Sequence, residues 1–367
     1  MPRATSPVSS SAVVPVSPSR AFPPVRIVSG PGFELIAELA AFTSGPARAS
    51  LESGKPWIRE VRRLAGPELL ARVERYNLGV YAELTTIALE ADARGLRELV
   101  AAIAALPAEA FRRRLLGADS GMSRSLVADG AFDRALAGDP PARAELRSTL
   151  ANGPADRQVM DRLFADDPAA TRAEIGAIVA DWAAKVFPAF EPEAMAAIER
   201  DAAAKEAALA DRPAQDVLAA ATAGVDVAPP PWIRSIAIVP TVALRPFVIP
   251  AEVGETAAYI CSVADESFDV DPDAPPRRLV KLAAALGDEL RMRILHALRD
   301  ESLSASQIAD RLGVDRTSLH HHLGILRSAG LLTIVDDGVA GWRYALREGA
   351  VNEIGPALDE YLRSPRT

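Results

Sequence analysis

The chain has 367 residues, 49% hydrophobic and 25% charged, with a net charge of −8, four histidines and one cysteine. That length accommodates two domains with a substantial core. A lone cysteine, Cys261, excludes an intramolecular disulfide and fits a reducing cytoplasmic setting, and no apolar run approaches the roughly 20 residues that cross a bilayer, so no membrane partner is expected.

Residues 1–24 are mostly Ser, Pro, Val and Ala without the compact apolar core of a secretion signal, and read as a disordered tail. From 25 to 228 the pattern is helical. Leu35, Ile36, Leu39 and Phe42 form one amphipathic set, Trp57, Ile58, Val61 and Leu64 a second, and Leu69, Leu70 and Val73 a third. The wholly apolar stretch 99–106 is expected to be buried, and 191–211 to be one long Ala-rich helix. Pro229-Pro230-Pro231 then changes the character. Residues 235–239, 245–249 and 256–263 alternate or carry β-branched side chains, so 229–264 is expected to be a small antiparallel β platform, with the acidic, Pro-containing 265–276 as a linker. Cys261 reads as a small apolar strand residue.

The last quarter, 277–367, carries the most information. Leu279, Leu282, Ala283 and Leu286 mark one helix, and Ile294, Leu295 and Leu298 the next. Ser304 and Gln307 have the spacing of a capping box ahead of Ile308, Ala309 and Leu312, and Gly313 ends that helix in a conformation that favours glycine. Val314 makes the turn. Asp315 caps a second helix that buries Leu319, Leu323 and Leu326 and leaves Thr317, His320, His321, Gly324 and Ser328 on the other side. Short polar and imidazole side chains on one face suit base edges and phosphates. Two strands follow, 331–335 and 342–346, with an acidic tip that includes Asp336 and Asp337, and then a helix marked by Val351, Ile354, Leu358 and Leu362. The expected fold is thus mostly α: a helical N-terminal domain with a small antiparallel β segment, followed by a C-terminal winged helix-turn-helix domain.

This segment resembles the ArsR-type winged helix-turn-helix family of bacterial repressors. The resemblance rests on Leu286-Gly-Asp-Glu-Leu-Arg-Met-Arg-Ile-Leu295, Ile308-Ala-Asp-Arg-Leu-Gly-Val314, and Leu319-His-His-His-Leu323 followed by Leu326 and Ala329-Gly330-Leu331. It implies a homodimer held by the first and last helices of the domain, with one recognition helix per DNA half-site. Two departures stand out. No cysteine lies on 304–312, where some members bind metal, and the last helix offers only Glu353, Asp359 and Glu360 where others use histidine and carboxylate ligands. Neither inherited metal site is expected, and no cofactor.

Residues 274–367 hold 13 Lys or Arg against 12 Asp or Glu, so the first 273 residues, with 28 against 37, carry all of the net negative charge. An acidic body joined to a near-neutral reader is compatible with double-stranded DNA as partner. Thr317, Ser318, His320 and His321 are the candidate base readers, Arg316 a phosphate or guanine contact, and Arg327 and Arg343 further phosphate contacts. Every histidine (His296, His320, His321 and His322) lies in this region, which leaves the body no His-dependent nucleophile. The loop 117–125 lacks the order of a nucleotide-binding loop, and an enzyme is not expected. The expected function is a homodimeric DNA-binding repressor whose N-terminal domain takes an unidentified small-molecule effector. The alternative is an interaction or dimerisation module on the same scaffold.

Overall fold

The computed structural model describes residues 21–151, 153–222, 229–268, 274–336, 342–347 and 349–363. The expected tail, apart from residues 21–24, and the tip of the wing lie outside them.

The body is organised around α1 (Pro31–Phe42), which is apolar all round apart from two glutamates and is buried along nearly its whole length. Leu35, Ile36, Leu39 and Phe42 lie fully inside, as their spacing predicts. Around α1 pack α2 (Leu78–Glu90), α3 (Pro168–Lys185) and α4 (Glu191–Asp211). The close approach at its start needs glycine, because a Cβ on Gly32 would sit 2.9 Å from the Arg94 carbonyl oxygen.

A four-stranded sheet completes the body. Of the antiparallel platform expected over 229–264, only the hairpin of β3 (Ile249–Val253) and β4 (Thr256–Ser262) is antiparallel, turning at Gly254 with φ +56°. To it are added β2 (Ser235–Thr241), parallel to β4, and β1 (Val25–Ile27), parallel to β2, in the order β1-β2-β4-β3. Residues alternate between the two sides, as a strand requires. Ala237, Val239, Ala258 and Ile260 face the α1 core, while Ile236, Ile238, Ala257 and Cys261 face a second cluster with Val217 and Leu218. Burial pushes the Cys261 thiol up to about 12, consistent with a small apolar strand residue.

Two expectations need correction. The strand placed at 245–249 begins only at Ile249. The amides of Val242 and Ala243 are taken by the Glu34 carboxylate, at 2.9 Å each, and Arg245 turns away into ion pairs with Glu52 and Asp265. Within 245–249 itself the Arg245 and Phe247 amides donate to the carbonyls of Val242 and Leu244 in tight turns, and Pro246 has no amide to donate, so no ladder forms before Ile249. The stretch 99–106 is not wholly buried. In the helix Leu96–Ala105 only Leu99 and Ile103 are inside, because alanine methyls are small enough to remain in water at little cost.

The C-terminal domain comprises α5 (Arg277–Leu286), α6 (Glu289–Ala297), α7 (Ala305–Leu312), α8 (Arg316–Ser328) and α9 (Ile354–Arg363), with a three-stranded antiparallel sheet. Its strands β5 (Leu303–Ser304), β6 (Leu332–Asp336) and β7 (Trp342–Leu346) run in the order β5-β7-β6. It has its own core, separate from those of the body. A charged cluster joins the two. Lys281 Nζ of α5 lies 2.7 Å from Glu52 and 2.6 Å from Asp265, the carboxylates that also hold Arg245.

Glu34 and Glu38 lie one turn apart on α1 and are almost fully buried. Glu38 accepts a hydrogen bond from Trp182 Nε1 at 2.7 Å. Desolvation raises Glu34 to about 8, and desolvation together with the neighbouring Glu34 charge raises Glu38 well above the ordinary carboxyl range. A raised carboxyl pKa means that the folded chain keeps a proton the unfolded chain releases, so stability falls as pH rises from about 4.5 towards 8. Each such group removes about 1.4 kcal/mol per pH unit within its window. Thermal unfolding should therefore show a higher melting temperature near pH 6 than near pH 8.5. Glu38→Gln, which still accepts from Trp182, should flatten that slope and stabilise the protein at the higher pH.

Candidate nucleic-acid interface

The helix-turn-helix is built by local capping. Ser304 Oγ accepts from the Gln307 amide at 3.3 Å, and Gln307 Oε1 accepts from the Ser304 amide at 2.9 Å, which closes the capping box of α7. Gly313 ends that helix at φ +66°, a left-handed conformation that costs glycine nothing. Asp315 Oδ2 then accepts from the Ser318 amide at 3.2 Å and starts α8.

Leu319, Leu323 and Leu326 seat α8 on Ile294, Leu298 and Ile308, and all are buried. On the first turns of the helix Asp315, Ser318 and His321 are exposed. The structure describes the backbone of Arg316, Thr317 and His320 within α8, while their side chains lie outside what it describes. By helical geometry position 317 shares a side with 321 and 324, opposite the leucines. His322 occupies the core edge, half-buried, with Nδ1 3.7 Å from Asp288.

The two remaining arginines are engaged within the domain. Burial beside Tyr344 of β7 holds Arg327 below the usual guanidinium range. Arg343 donates to Ser302 Oγ at 3.0 Å and to the Ser302 carbonyl. At the wing, β6 and β7 pair with Ile334 opposite Tyr344, whereas Asp337 falls outside the described residues, as does the side chain of Asp336.

Several supporting groups were not legible in the sequence. Arg291 donates to the carbonyls of Ala284 and Ala285 at 2.8 and 2.7 Å, closing the end of α5. Glu353, one of the three carboxylates near the last helix, is shared between Arg347, at 2.8 Å, and Arg278, and both hold its carboxyl below the ordinary range. It therefore joins the base of the wing to α5. The sequence also gave no sign that Gly324 of α8 abuts the body: a Cβ there would lie 4.0 Å from Ser50.

On the surface made by α5 and α9, Val280, Leu358 and Leu362 are 50%, 44% and 69% exposed. Three large apolar side chains are thus left in water on two helices that pack together.

The family described as a helix-turn-helix domain matches residues 286–335. The HTH-type transcriptional regulators CmtR of Mycobacterium bovis and of two Mycobacterium tuberculosis strains, CDC 1551 and H37Rv, are each 40% identical to it over 85 residues. That alignment spans 69% of each relative and 23% of this chain. Through its C-terminal quarter, the chain belongs to the ArsR-type winged helix-turn-helix family. No solved structure matches the chain. The chain thus carries 285 residues ahead of the matched segment.

The capping box and the leucine seat act on the same helix pair but differ in energy. Ser304→Ala should destabilise the C-terminal domain by about 1 kcal/mol. Leu323→Ala should cost about 2–5 kcal/mol, because it leaves a cavity. Denaturant titration of the two variants should reproduce that order.

Proposed function

We propose that this protein is a homodimeric transcriptional repressor that reads the major groove with α8. The observation that carries the reading is the exposed start of α8, at Ser318 and His321, on a helix held from behind by three buried leucines. A recognition helix meets base edges with its N-terminal residues, and here the body abuts the other half of the helix, at Gly324. Thr317, Ser318, His320 and His321 contact bases, and Arg316 contacts a phosphate or a guanine. Arg327 and Arg343 stand at the margin of this footprint, so substituting them mixes stability with affinity. The regulators CmtR, named as transcriptional regulators, support the same reading by relation.

The apolar face of Val280, Leu358 and Leu362 joins two copies, which sets half-sites about 34–36 Å apart. The helical body takes the signal. Among the described residues no helix is long and apolar enough to cross a bilayer.

Three measurements test this. Thr317→Ala and His321→Ala should each weaken binding to an operator fragment by about 1–3 kcal/mol while leaving non-specific binding nearly unchanged. Affinity should fall steeply with salt, with a slope of about −0.9 for each phosphate contacted. Leu362→Asp should convert the dimer to monomers in sedimentation. Wild-type protein that ignores its own upstream DNA at low salt would shift the reading to an interaction module.

A further inference from the structure

The body contains a cavity of about 610 Å³, walled by the start of α2, residues 115–117 and the helix Pro154–Ala165. Its volume falls in the range of about 300–1,000 Å³ typical of small-molecule sites. Leu78, Leu115, Leu126, Met160 and Leu163 supply apolar wall, and Glu83 lies among them. At the rim Asn77 donates to Asp156 Oδ1 at 2.6 Å. Among the described residues the lining holds two carboxylates, Glu83 and Asp156, and no lysine, arginine or histidine.

The Glu83 carboxyl has no ion pair among the described residues. The guanidinium that acts on it, Arg114, is already shared between Glu90 at 2.8 Å and Asp119 at 3.0 Å. Burial pushes Glu83 up to about 8, the signature of a carboxyl short of a counter-charge. A pocket with an apolar wall of leucines and Met160, polar groups of Thr43, Ser44, Ser123 and Thr149, and one such acid is complementary to an amphipathic molecule with an apolar body and a single protonated nitrogen.

The same cavity reaches the reader through one short segment. Thr43, Ser44 and Gly45 form part of its wall. The chain then runs through the 3-10 turn Gly45–Ser50, where Arg48 donates to the Phe42 carbonyl at 2.8 Å. Ser50 abuts Gly324 of α8, and Glu52 pairs with Lys281 of α5. Ten residues thus have the cavity at one end and the helix-turn-helix domain at the other.

We infer that this cavity is the effector site of the protein, that it takes an amphipathic monoamine with its ammonium against Glu83, and that segment 43–52 transmits occupancy to α8. The transmission half rests on the DNA-binding reading, whereas the binding half does not. Calorimetry on the full chain without DNA separates them. The probes are 4-phenylbutylamine, 4-phenylbutanol and 4-phenylbutanoate, which share an apolar body and differ in charge.

The amine should bind at least about tenfold more tightly than the alcohol, and the acid should not bind. Glu83→Gln, which keeps the shape of the side chain, should reduce the amine to the level of the alcohol. Met160→Trp, which fills the cavity, should abolish both. Equal binding of the three probes, no binding of any, or unchanged amine affinity in Glu83→Gln would overturn the site. Saturating amine should then change operator affinity by about fivefold or more in wild type. An operator affinity that does not move, with the amine bound, would overturn the transmission alone. A protein that binds the amine but no DNA would overturn both the transmission and the repressor reading while leaving the site intact.

Discussion

The burial of Leu319, Leu323 and Leu326 is the constraint on which the arrangement of the reader depends. Each buried leucine is worth roughly 1.5–3 kcal/mol relative to exposure. The three lie on one side of α8 and fix its rotation about its own axis. A helix rotated by one residue would turn about 100° and carry Ser318 and His321 off the outward side. The rest of the domain supports that fixation. Gly313 and Asp315 set where α8 starts, and Arg291 and Glu353 hold the neighbouring helix ends and the wing against the same core.

How legible each part was in the sequence follows from the range of the interactions that determine it. The capping box of Ser304 and Gln307, the left-handed Gly313 and the three-and-four spacing of the leucines act within one or two helical turns, so the helix-turn-helix could be read residue by residue. The sheet could not. Val25–Ile27 is a strand only because it pairs with residues 236–238, over two hundred positions away, and three residues carry no period of their own. The displaced strand at 245–249 has a different cause: Arg245 and Phe247 close turns onto Val242 and Leu244 and Pro246 donates nothing, while Glu34 on α1 holds the two amides just before them. The misreading of 99–106 reflects alanine, which counts as apolar in a pattern but tolerates water.

The candidate site was legible in its backbone and less so in its surroundings. The positions of Ser318 and His321 on an exposed turn follow from helical spacing alone. Arg327 and Arg343, by contrast, read as free surface cations, yet one is desolvated beside Tyr344 and the other is held by Ser302. A sequence gives the charge of an arginine but not the neighbour that claims it. The same holds for Ser50 and Gly324, whose meeting depends on how two domains dock.

That docking is of a kind that can be shifted. The separate hydrophobic clusters of the body and the reader do not merge, and the junction is built mainly from Lys281, Glu52, Asp265 and Arg245. Lys281 and Glu52 each retain 24% side-chain exposure, whereas Arg245 and Asp265 retain 7% and 11% and stay with the body; the pair that reaches across, Lys281 with Glu52, is partly open to water and worth on the order of 1 kcal/mol. Allosteric coupling needs only about 1–3 kcal/mol of differential affinity between two arrangements. A continuous apolar core between the domains would place the body beyond the reach of any small ligand. A thin polar junction, with a short segment leading from it to a cavity, leaves the balance within the energy that one bound molecule can supply.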